Sequence, residues 1–491
     1  MVINISRNTI SAVPEGYLND PCGLCKVNDV WHLFYQFVPE KPSMLCWGHA
    51  ASTDMMHWLD YPAAVVPTYD DFCGSGGALV DGDDVYICYQ GPEKGQTEGA
   101  ISIAKGSGKI LENWEKPFDA PVIHHKKAFD PYMWKEGEKY YLLSAGGGSL
   151  PHPDGLSALD FRKFYLYEST DLEHWTFLHN FIEKDKFSLL GDDGACPYFL
   201  PIGDKHMILH FSHKSGGKWI LGDYDRERMK FSATDSGSFN NHAWIAGGVH
   251  APSAFPDGNG GIIAIFNLNF GVCDGPVNQI MSMPLHITLG DDRKPKLEPY
   301  GEYKALRKNH QSGKDVVINA NEETVLPNCH GKSFEMEITV DTKDKTKATG
   351  AGCFIASNML SLFEISVLRS KDSKEHTDIR FYRNRSKMAW EEFINNGVWG
   401  DSTESVFEVD VSHSSLQNAA IHPTESASYY LSPNEPIKLH IFVDKSVVEV
   451  FSGGRSVAVR SYPSLEENNG ISLVARGTDA VISYDFYEMG D

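Results

Sequence analysis

The sequence of 491 residues lacks any run of about 18 apolar residues, so it predicts no membrane-spanning helix. Its first residues, MVINISRNTISAVPEGY, also lack the basic segment and apolar stretch of a secretory signal peptide. We therefore expect a cytoplasmic protein. Removal of a signal peptide during maturation would leave the same sequence, in which case the protein is secreted.

Cysteine is sparse and forms no complete metal-binding pattern. The nine cysteines are scattered, and only Cys22 and Cys25 resemble a ligand pair, with no second pair or histidine pair to complete a zinc site. There is no His-Glu-x-x-His motif, and GAISIAKGSG (99–108) does not match a phosphate-binding loop. The sequence predicts no metal and no cofactor, and the simplest expectation for the cysteines is buried reduced thiols.

Positive charge is also scarce. The chain has 44 Lys and Arg against 66 Asp and Glu, which gives a formal net charge of −22. Nucleic acids and anionic membranes are bound through clusters of basic residues, so neither is expected as a partner. A neutral small-molecule or oligosaccharide substrate is more natural, and the oligomeric state is left open.

Long amphipathic helical patterns are nearly absent, whereas short strand-like segments recur along the chain. These segments are rich in aromatic or β-branched residues and are bounded by Gly, Pro, Asp or Asn. They are WHLFYQF (31–37), DVYICYQ (84–90), KYYLLSAG (139–146), HMILHFSH (206–213) and GGIIAIFNL (260–268). The predicted fold class is all-β.

An internal repeat refines this prediction. STDMMHW (52–58) and STDLEHW (169–175) share five of seven positions, as two copies of one supersecondary unit would. We expect Ser-Thr-Asp to form a turn capped by its own side chains, and the tryptophan to cover the neighbouring sheet. Repeated short sheets joined by such turns favour a β-propeller.

The chain divides into two predicted domains. Residues 1–295 carry the repeated strand pattern of a propeller, and the charged, proline-containing segment 296–325 is predicted as a linker. Residues 326–491 then show alternating strands, with LHIFVDKSVVEVF (439–451) as a hairpin folded about residues 444–446. We expect this second domain to be a β-sandwich with a supporting role.

Three acidic loops lie just before predicted strands of the first domain. They are YLNDPCG (17–23), FDPYMW (129–134) and LLGDDGACPYFLP (189–201). In the first, Pro21 restricts Asp20 to an extended conformation, which would hold the carboxylate in one direction, as a nucleophile requires. Carboxylate loops that converge beside many aromatic residues describe a sugar-cleaving site better than a metal site.

These motifs resemble those of glycoside hydrolase family 32, which comprises invertases, inulinases and levanases. YLNDPCG resembles the family's Asn-Asp-Pro-Asn-Gly block, and it is followed in the expected order by WHLFYQF, CWGHAASTDMMHW and FCGSGG (72–77). FDP resembles its Arg-Asp-Pro block, GACP its Glu-Cys-Pro block, and LHIFVDKSVVEVFSGG its C-terminal domain. The resemblance implies a five-bladed β-propeller followed by a β-sandwich, in agreement with the prediction from the strand pattern.

The resemblance also implies roles for matching residues. Asp20 falls where the family has its nucleophile, which forms a covalent intermediate with a fructofuranosyl unit and retains configuration. Asp130 falls where the family has an aspartate that binds sugar hydroxyls and stabilises the transition state. The residues expected to line the sugar pocket are Asn19, Gln36, Trp47, Phe72, Ser75 and Phe129.

Two positions depart from the family pattern. Ala195 replaces the glutamate of Glu-Cys-Pro, the acid/base, and Phe129 replaces the arginine of Arg-Asp-Pro. Asp193 is the provisional replacement acid, because residues two apart in an extended segment share a face, whereas Asp192 would point the other way. An acid from elsewhere in the chain, or none at all, are the alternatives.

The leading functional prediction is a retaining glycosidase acting on β-fructofuranosides or a related furanoside. A fructosyltransferase would use the same intermediate and pass the fructosyl unit to a sugar hydroxyl. The non-enzymatic alternative is a fructoside-binding protein that kept the pocket and lost its acid/base.

Overall fold

The computed structural model describes residues 16–39, 43–96, 99–125, 127–147, 161–239, 248–269, 279–341, 363–383, 404–431, 435–477 and 479–490. Within these ranges the chain is built almost entirely of β-strands, as predicted. No helix in these ranges has the length and apolar character needed to cross a membrane. The seven cysteines that the structure describes are buried and unpaired; Cys273 and Cys353 lie outside the described residues.

The N-terminal part of the described chain forms five antiparallel blades of a propeller. Blade 1 contains β1 (Gly16–Val27), β2 (Val30–Pro39), β3 (Cys46–Ser52) and β4 (Leu59–Val65). Blade 2 contains β5 (Gly76–Asp81), β6 (Asp84–Gln90), β7 (Ala100–Ser107), β8 (Asn113–Glu115) and the short β9 (Ile123–His124). Blade 3 contains β10 (Phe129–Glu136), β11 (Lys139–Gly147), β12 (Arg162–Ser169) and β13 (Thr176–Asn180).

The last two blades carry small additions to the four-stranded plan. Blade 4 contains β15 (Ala195–Ile202), β16 (Lys205–Ser212), β17 (Gly216–Asp225) and β18 (Lys230–Ser238), with β14 (Ile182–Glu183) added in parallel to β18. Blade 5 contains β19 (Val249–Pro256), β20 (Ile262–Leu268), β22 (Leu285–Leu289) and β23 (Pro295–Pro299), with β21 (Ile280–Met281) paired to β20. The predicted strand segments all fall on strands of these blades.

The first strands of the blades form a closed ring around the propeller axis. Strand β1 contacts β5, β5 contacts β10, β10 contacts β15, β15 contacts β19, and β19 returns to β1. The chain enters all of these strands from the same end of the axis, so the loops that precede them converge there. This convergence brings residues distant in sequence to one site.

The Ser-Thr-Asp repeat forms the same turn in blades 1 and 3, which confirms the prediction. In both blades it connects the third and fourth strands. The hydroxyl groups of Ser52 and Ser169 each accept two backbone N–H groups, and the carboxylates of Asp54 and Asp171 each accept two more. The tryptophan that ends each copy donates its indole N–H to a carbonyl of the turn. Side chains thus satisfy the backbone of this connection.

The C-terminal part is a sandwich of two antiparallel sheets. The order in the first sheet is β24 (Arg307–Ile318), β35 (Ala480–Met489), β26 (Ser333–Asp341), β31 (Ile437–Asp444), β32 (Val447–Ser452) and β33 (Arg455–Arg460). The order in the second is β25 (Glu323–His330), β34 (Gly470–Ala475), β27 (Phe363–Arg369), β28 (Thr377–Arg383), β29 (Glu404–Asp410) and β30 (Thr424–Tyr430). The predicted hairpin is formed by β31 and β32.

The predicted linker, residues 296–325, is too long. Strand β23 extends to Pro299 and still belongs to the propeller, and β24 already pairs with β35 in the sandwich. The connection is limited to residues 300–306, in which Tyr303–Leu306 forms a short 3-10 helix. The sequence pattern was misleading because β24 is an edge strand whose side chains are mostly exposed, so its polar composition resembles that of a linker.

Candidate active site

In four of the five innermost strands the pairing register shifts at the end where the loops converge. The shifts lie between residues 18 and 21, 129 and 131, 195 and 198, and 249 and 252. Each shift contains or precedes a proline: Pro21, Pro131, Pro197 and Pro252. Proline cannot donate to the sheet, and a bulge redirects the neighbouring side chain, so each shift presents a side chain towards the axis.

Asp20 lies in the first of these shifts and is buried. Its Oδ2 accepts a hydrogen bond from the Ser75 hydroxyl at 3.0 Å, and its Oδ1 accepts one from Asn267 Nδ2 at 3.1 Å. The Nδ1 atom of His250 lies 3.7 Å from Oδ1. Burial by itself raises the pKa of Asp20, but His250, Asn267 and Ser75 outweigh burial and lower that pKa below its ordinary value. Asp20 is therefore an ionised and oriented carboxylate.

A chain of side-chain hydrogen bonds supports this carboxylate. Asn19 Nδ2 donates to Gln36 Oε1 at 2.7 Å, Gln36 Nε2 donates to Ser75 Oγ at 2.8 Å, and Ser75 in turn donates to Asp20. The four side chains come from the first strand, the second strand and the loop before β5. The structure brings these predicted pocket residues together, and each holds the next in one orientation.

Two further amides extend this chain from blade 5. Gln279 Nε2 donates to Asn19 Oδ1 at 2.5 Å, and Gln279 Oε1 accepts from Asn267 Nδ2. Asn267 also donates to Asp20. Blades 1 and 5 thus share one polar network, which can present both donors and acceptors to sugar hydroxyls.

Asp130 lies in the second register shift, with a backbone φ of 47° in the left-handed region that aspartate tolerates better than most residues. Its Oδ2 accepts hydrogen bonds from the backbone N–H of Cys196 at 3.0 Å and from the Cys196 thiol at 3.4 Å. Burial and the nearby charge of Asp20 raise the pKa of Asp130 to about 6. The thiol lies 4.0 Å from Asp20 Oδ2, so both carboxylates meet at Cys196.

The two departures from the family pattern belong to the same buried part of the site. Phe129 and Ala195 are both buried in one apolar cluster, which Phe211 completes from the strand paired with Ala195. The place of a cation and an acid is thus taken by a phenyl ring and a methyl group of one buried apolar cluster. The joint replacement leaves an apolar cluster in which neither position carries a charge, so neither side chain requires an ion-pair partner there.

Asp193 is not placed to donate a proton directly, which corrects the prediction. Its side chain is 1% exposed, and its Oδ2 lies 2.5 Å from His213 Nδ1 while its Oδ1 accepts the His213 backbone N–H at 3.3 Å. The His213 side chain is 53% exposed. The carboxylate is bonded to His213, the residue that follows β16, and has almost no exposed surface from which to reach a substrate.

Asp192 has a structural role, as its predicted direction suggests. Its carboxylate accepts hydrogen bonds from the hydroxyls of Ser212 and Ser215 and from the backbone N–H of Leu189. The buried guanidinium of Arg162 lies 3.6 Å from it. Asp192 therefore stabilises the loop that carries Asp193.

Trp47 does not line the pocket, because its side chain is fully buried between blades 1 and 2. Its indole N–H donates to the Gly74 carbonyl at 2.7 Å and so supports the loop that carries Ser75. Phe72, in the same loop, keeps part of its surface exposed. Phe129 is buried, so it can shape the pocket floor but offers little area for stacking.

Five residues of the site were not among the predicted site residues: Cys196, His213, His250, Asn267 and Gln279. His250 could have been found from the sequence, because it lies in the segment His-Ala-Pro at the start of the inner strand of blade 5, and the inner strands of blades 1, 3 and 4 also begin close to a proline. Asn267 interrupts the otherwise apolar strand IIAIFNL. Cys196 lies in the GACP segment, whereas His213 and Gln279 carry no comparable mark in the sequence.

One group in the described chain has metal-like spacing, and it lies in the sandwich, away from this site. It consists of Glu335, Glu337 and His440. The guanidinium of Arg307 binds both carboxylates, at 2.5 and 2.7 Å. A cation from the chain therefore already fills the position that a metal ion would take.

Comparison with known proteins links this geometry to one family. The Glycosyl hydrolases family 32 N-terminal domain matches residues 11–297, and the Glycosyl hydrolases family 32 C terminal matches residues 302–488. A fructan 1-exohydrolase from Triticum urartu is 26% identical over 508 residues, covering 92% of this chain and 81% of its own. Beta-fructofuranosidase, insoluble isoenzyme 4, from Oryza sativa subsp. japonica is 25% identical over 511 residues, covering 92% and 82%.

A solved structure has the same architecture. Fructan 1-exohydrolase IIa from Cichorium intybus superposes with a TM-score of 0.80 at 19% sequence identity, covering 97% of this chain and 96% of its own. At this identity the likeness establishes the fold, a five-bladed propeller followed by a β-sandwich.

Proposed function

Because the chain belongs to glycosyl hydrolase family 32, we propose that it hydrolyses β-fructofuranosides through a covalent intermediate on Asp20. The observation that carries this proposal is the state of Asp20. It is a buried carboxylate with a lowered pKa, held by Ser75 and Asn267 at the end of the propeller axis. An ionised carboxylate fixed in one direction is what attack on an anomeric carbon requires.

The surrounding groups have complementary roles in this proposal. Asn19, Gln36 and Gln279 bind the sugar hydroxyls in a fixed orientation, since each is itself held by a neighbouring side chain. Asp130 accepts hydrogen bonds from the sugar and stabilises the positive charge of the oxocarbenium-like transition state. The substrate is sucrose, a fructo-oligosaccharide, a fructan or a related furanoside, and the named relatives act on fructans or fructofuranosides.

The first experiment measures fructose release from sucrose, 1-kestose, inulin and levan by the wild-type protein and by Asp20→Asn. The expected result is release by the wild type, with the β-anomer as first product, and loss of release in the variant. Asn at this position keeps the size and the hydrogen-bonding capacity but cannot act as the nucleophile. Release from all substrates at the same rate in both proteins would refute the role of Asp20.

Ala195 favours a second candidate function, that of a fructoside-binding protein without turnover. Calorimetric titration with 1-kestose separates the two. Binding by both proteins with no release by either supports the binding protein, whereas release by the wild type excludes it. A time course at high sucrose concentration identifies transfer, because a transferase forms longer oligosaccharides before free fructose accumulates.

A further inference from the structure

Cleavage of a fructoside with a sugar leaving group requires a proton at the glycosidic oxygen. Ala195, at the position of the family's acid/base, has no proton to give. If the chain is a hydrolase as proposed above, another group of the site must supply that proton and later remove one from water. The following inference rests on that proposed function and identifies the group.

The pairing of β15 and β16 locates the nearest alternative. Ala195 pairs with Phe211 at the end of this ladder, and just beyond it the Asp193 carboxylate contacts His213. His213 follows β16 and Asp193 precedes β15, so the imidazole lies at the end of the strand pair at which Ala195 takes the place of the missing glutamate.

We propose that His213 is the acid/base of this enzyme and that Asp193 is the residue that positions it. The Asp193 carboxylate lies 2.5 Å from Nδ1 and also accepts the backbone N–H of the same histidine, so it fixes both the ring and its tautomer. None of the described residues hydrogen-bonds Nε2, and the side chain is half exposed. Nε2 is therefore the atom that can meet a substrate oxygen.

The imidazole lies over the same pocket as the nucleophile. Its ring packs against Phe211 at a centroid distance of 5.1 Å and lies 6.5 Å from the ring of His250, which is itself next to Asp20. The charged groups that face it are the carboxylates of Asp193, Asp130 and Asp20, with His250 beside them. Burial alone would lower the pKa of His213, but Asp193 and the two further carboxylates outweigh it and raise that pKa.

Other polar groups at the site are less suitable. Asp192 is held by two serines and lies beside Arg162. His250 Nδ1 lies 3.7 Å from the nucleophile's Oδ1, so this histidine interacts with the Asp20 carboxylate instead. The Cys196 thiol is buried, and burial together with Asp130 and Asp20 raises its pKa far above its ordinary value.

The proposed steps balance. As Asp20 attacks the anomeric carbon, the proton on His213 Nε2 moves to the glycosidic oxygen, the bond from that oxygen to the anomeric carbon breaks, and the sugar alcohol leaves. Neutral His213 then takes a proton from a water molecule whose oxygen attacks the same carbon. The ester bond to Asp20 breaks, fructose leaves with retained configuration, and His213 is protonated again.

The test compares His213→Gln and Asp193→Asn with the wild type on two substrates, sucrose and a nitrophenyl β-fructofuranoside. The nitrophenolate leaves without protonation, so only sucrose needs the acid. The matched control is His174→Gln, which removes an Asp–His pair of the same kind (His174 Nδ1 to Asp171 Oδ2, 3.0 Å) from an exposed turn of blade 3.

We expect His213→Gln to lower kcat/KM for sucrose by about 10²–10⁴-fold and that for the nitrophenyl substrate by less than about tenfold. Azide should restore turnover of the nitrophenyl substrate and give fructosyl azide, because it replaces the water that the base no longer activates. The alkaline limb of the wild-type pH profile should vanish in His213→Gln and move to lower pH in Asp193→Asn. His174→Gln should match the wild type in every assay.

Three results would overturn the acid/base role. The first is sucrose hydrolysis by His213→Gln within about threefold of the wild-type rate, and the second is an alkaline limb of the pH profile that is unchanged in this variant. The third is an equal loss of kcat/KM on both substrates without rescue by azide, because an equal loss indicates a structural role. An inactive wild type on both substrates is a different failure, because it overturns the proposed hydrolase and the acid/base role with it. Activity of the wild type on both substrates thus separates the two proposals.

Discussion

Asp130→Asn should stabilise the folded protein at neutral pH while it lowers catalysis. The buried Asp130 carboxylate lies near Asp20, and burial and that neighbouring charge raise its pKa to about 6. Keeping it ionised therefore costs folding free energy. Asparagine is nearly isosteric, tolerates the left-handed backbone at this position and can still accept the N–H of Cys196.

The size of the effect follows from the pKa. A rise from 3.8 to about 6 corresponds to about 3 kcal/mol, at about 1.36 kcal/mol per unit. Below the unfolded pKa both states are protonated and nothing is lost. Between pH 3.8 and about 6 the folded state keeps a proton that the unfolded state releases, so the free energy of unfolding falls as the pH rises. At pH 7 the variant should be more stable than the wild type by up to about 3 kcal/mol.

Urea denaturation of the wild type and the variant at pH 4 and pH 7 measures this difference. The control Asp54→Asn should behave in the opposite way, because the interactions of Asp54 with His57 and the backbone outweigh burial and lower its pKa to about 2. That variant should be less stable than the wild type at pH 7, and the difference should shrink as the pH falls below the unfolded value.

Catalysis provides the second measurement on Asp130→Asn. The loss of a charged hydrogen-bond acceptor should lower kcat/KM by at least about tenfold and remove the acidic limb near pH 6. An Asp130→Asn protein that is less stable at pH 7 than the wild type and has an unchanged pH dependence of unfolding would refute the reasoning.

Three further predictions concern other parts of the molecule. Burial raises the pKa of Glu449 to about 8, so the free energy of unfolding of the wild type should fall by about 5 kcal/mol between pH 4.5 and about 8, and Glu449→Gln should remove this fall. Denaturation at several pH values measures the fall, and an equal fall in both proteins would contradict the prediction. Ser75→Ala should lower kcat of the hydrolase about tenfold, because Asp20 loses the hydrogen bond that orients it; an unchanged kcat would exclude that role. Ala195→Glu should destabilise the protein by about 3–5 kcal/mol, and addition of Phe129→Arg should recover part of this loss. A double-mutant cycle measured by denaturation tests this, and additive losses would show that the two positions are independent.

Features set by local pattern were predictable from the sequence. The short strands, the paired Ser-Thr-Asp turns and the hairpin before Val447 depend on side chains that interact with neighbours a few residues away. The same holds for the acidic turn at Asp20, where the following proline restricts the backbone, whereas the left-handed backbone of Asp130 (φ 47°) is not what its following proline predicts. The length of the linker was overestimated, because an exposed edge strand and a linker have a similar polar composition.

The roles of the individual acidic and basic side chains were not predictable from local sequence patterns. Asp193 and His213 are 20 residues apart, and their contact exists only because β15 and β16 pair with Ala195 opposite Phe211. Trp47 looked like a pocket residue, and only the packing of blades 1 and 2 buries it completely. His250 and Asn267 reach Asp20 from more than 200 positions away, through closure of the ring of inner strands.

The sequence by itself therefore determined the all-β class, the two-domain order, the family motifs, and the absence of an acid at position 195. Each of these depends on residue types and on their spacing over short stretches of the chain. The tertiary structure decided which group can replace that acid, because proton transfer depends on the distance and direction between side chains that only strand pairing and ring closure bring together. It also placed Phe129 and Ala195, 66 positions apart in the chain, in one buried apolar cluster.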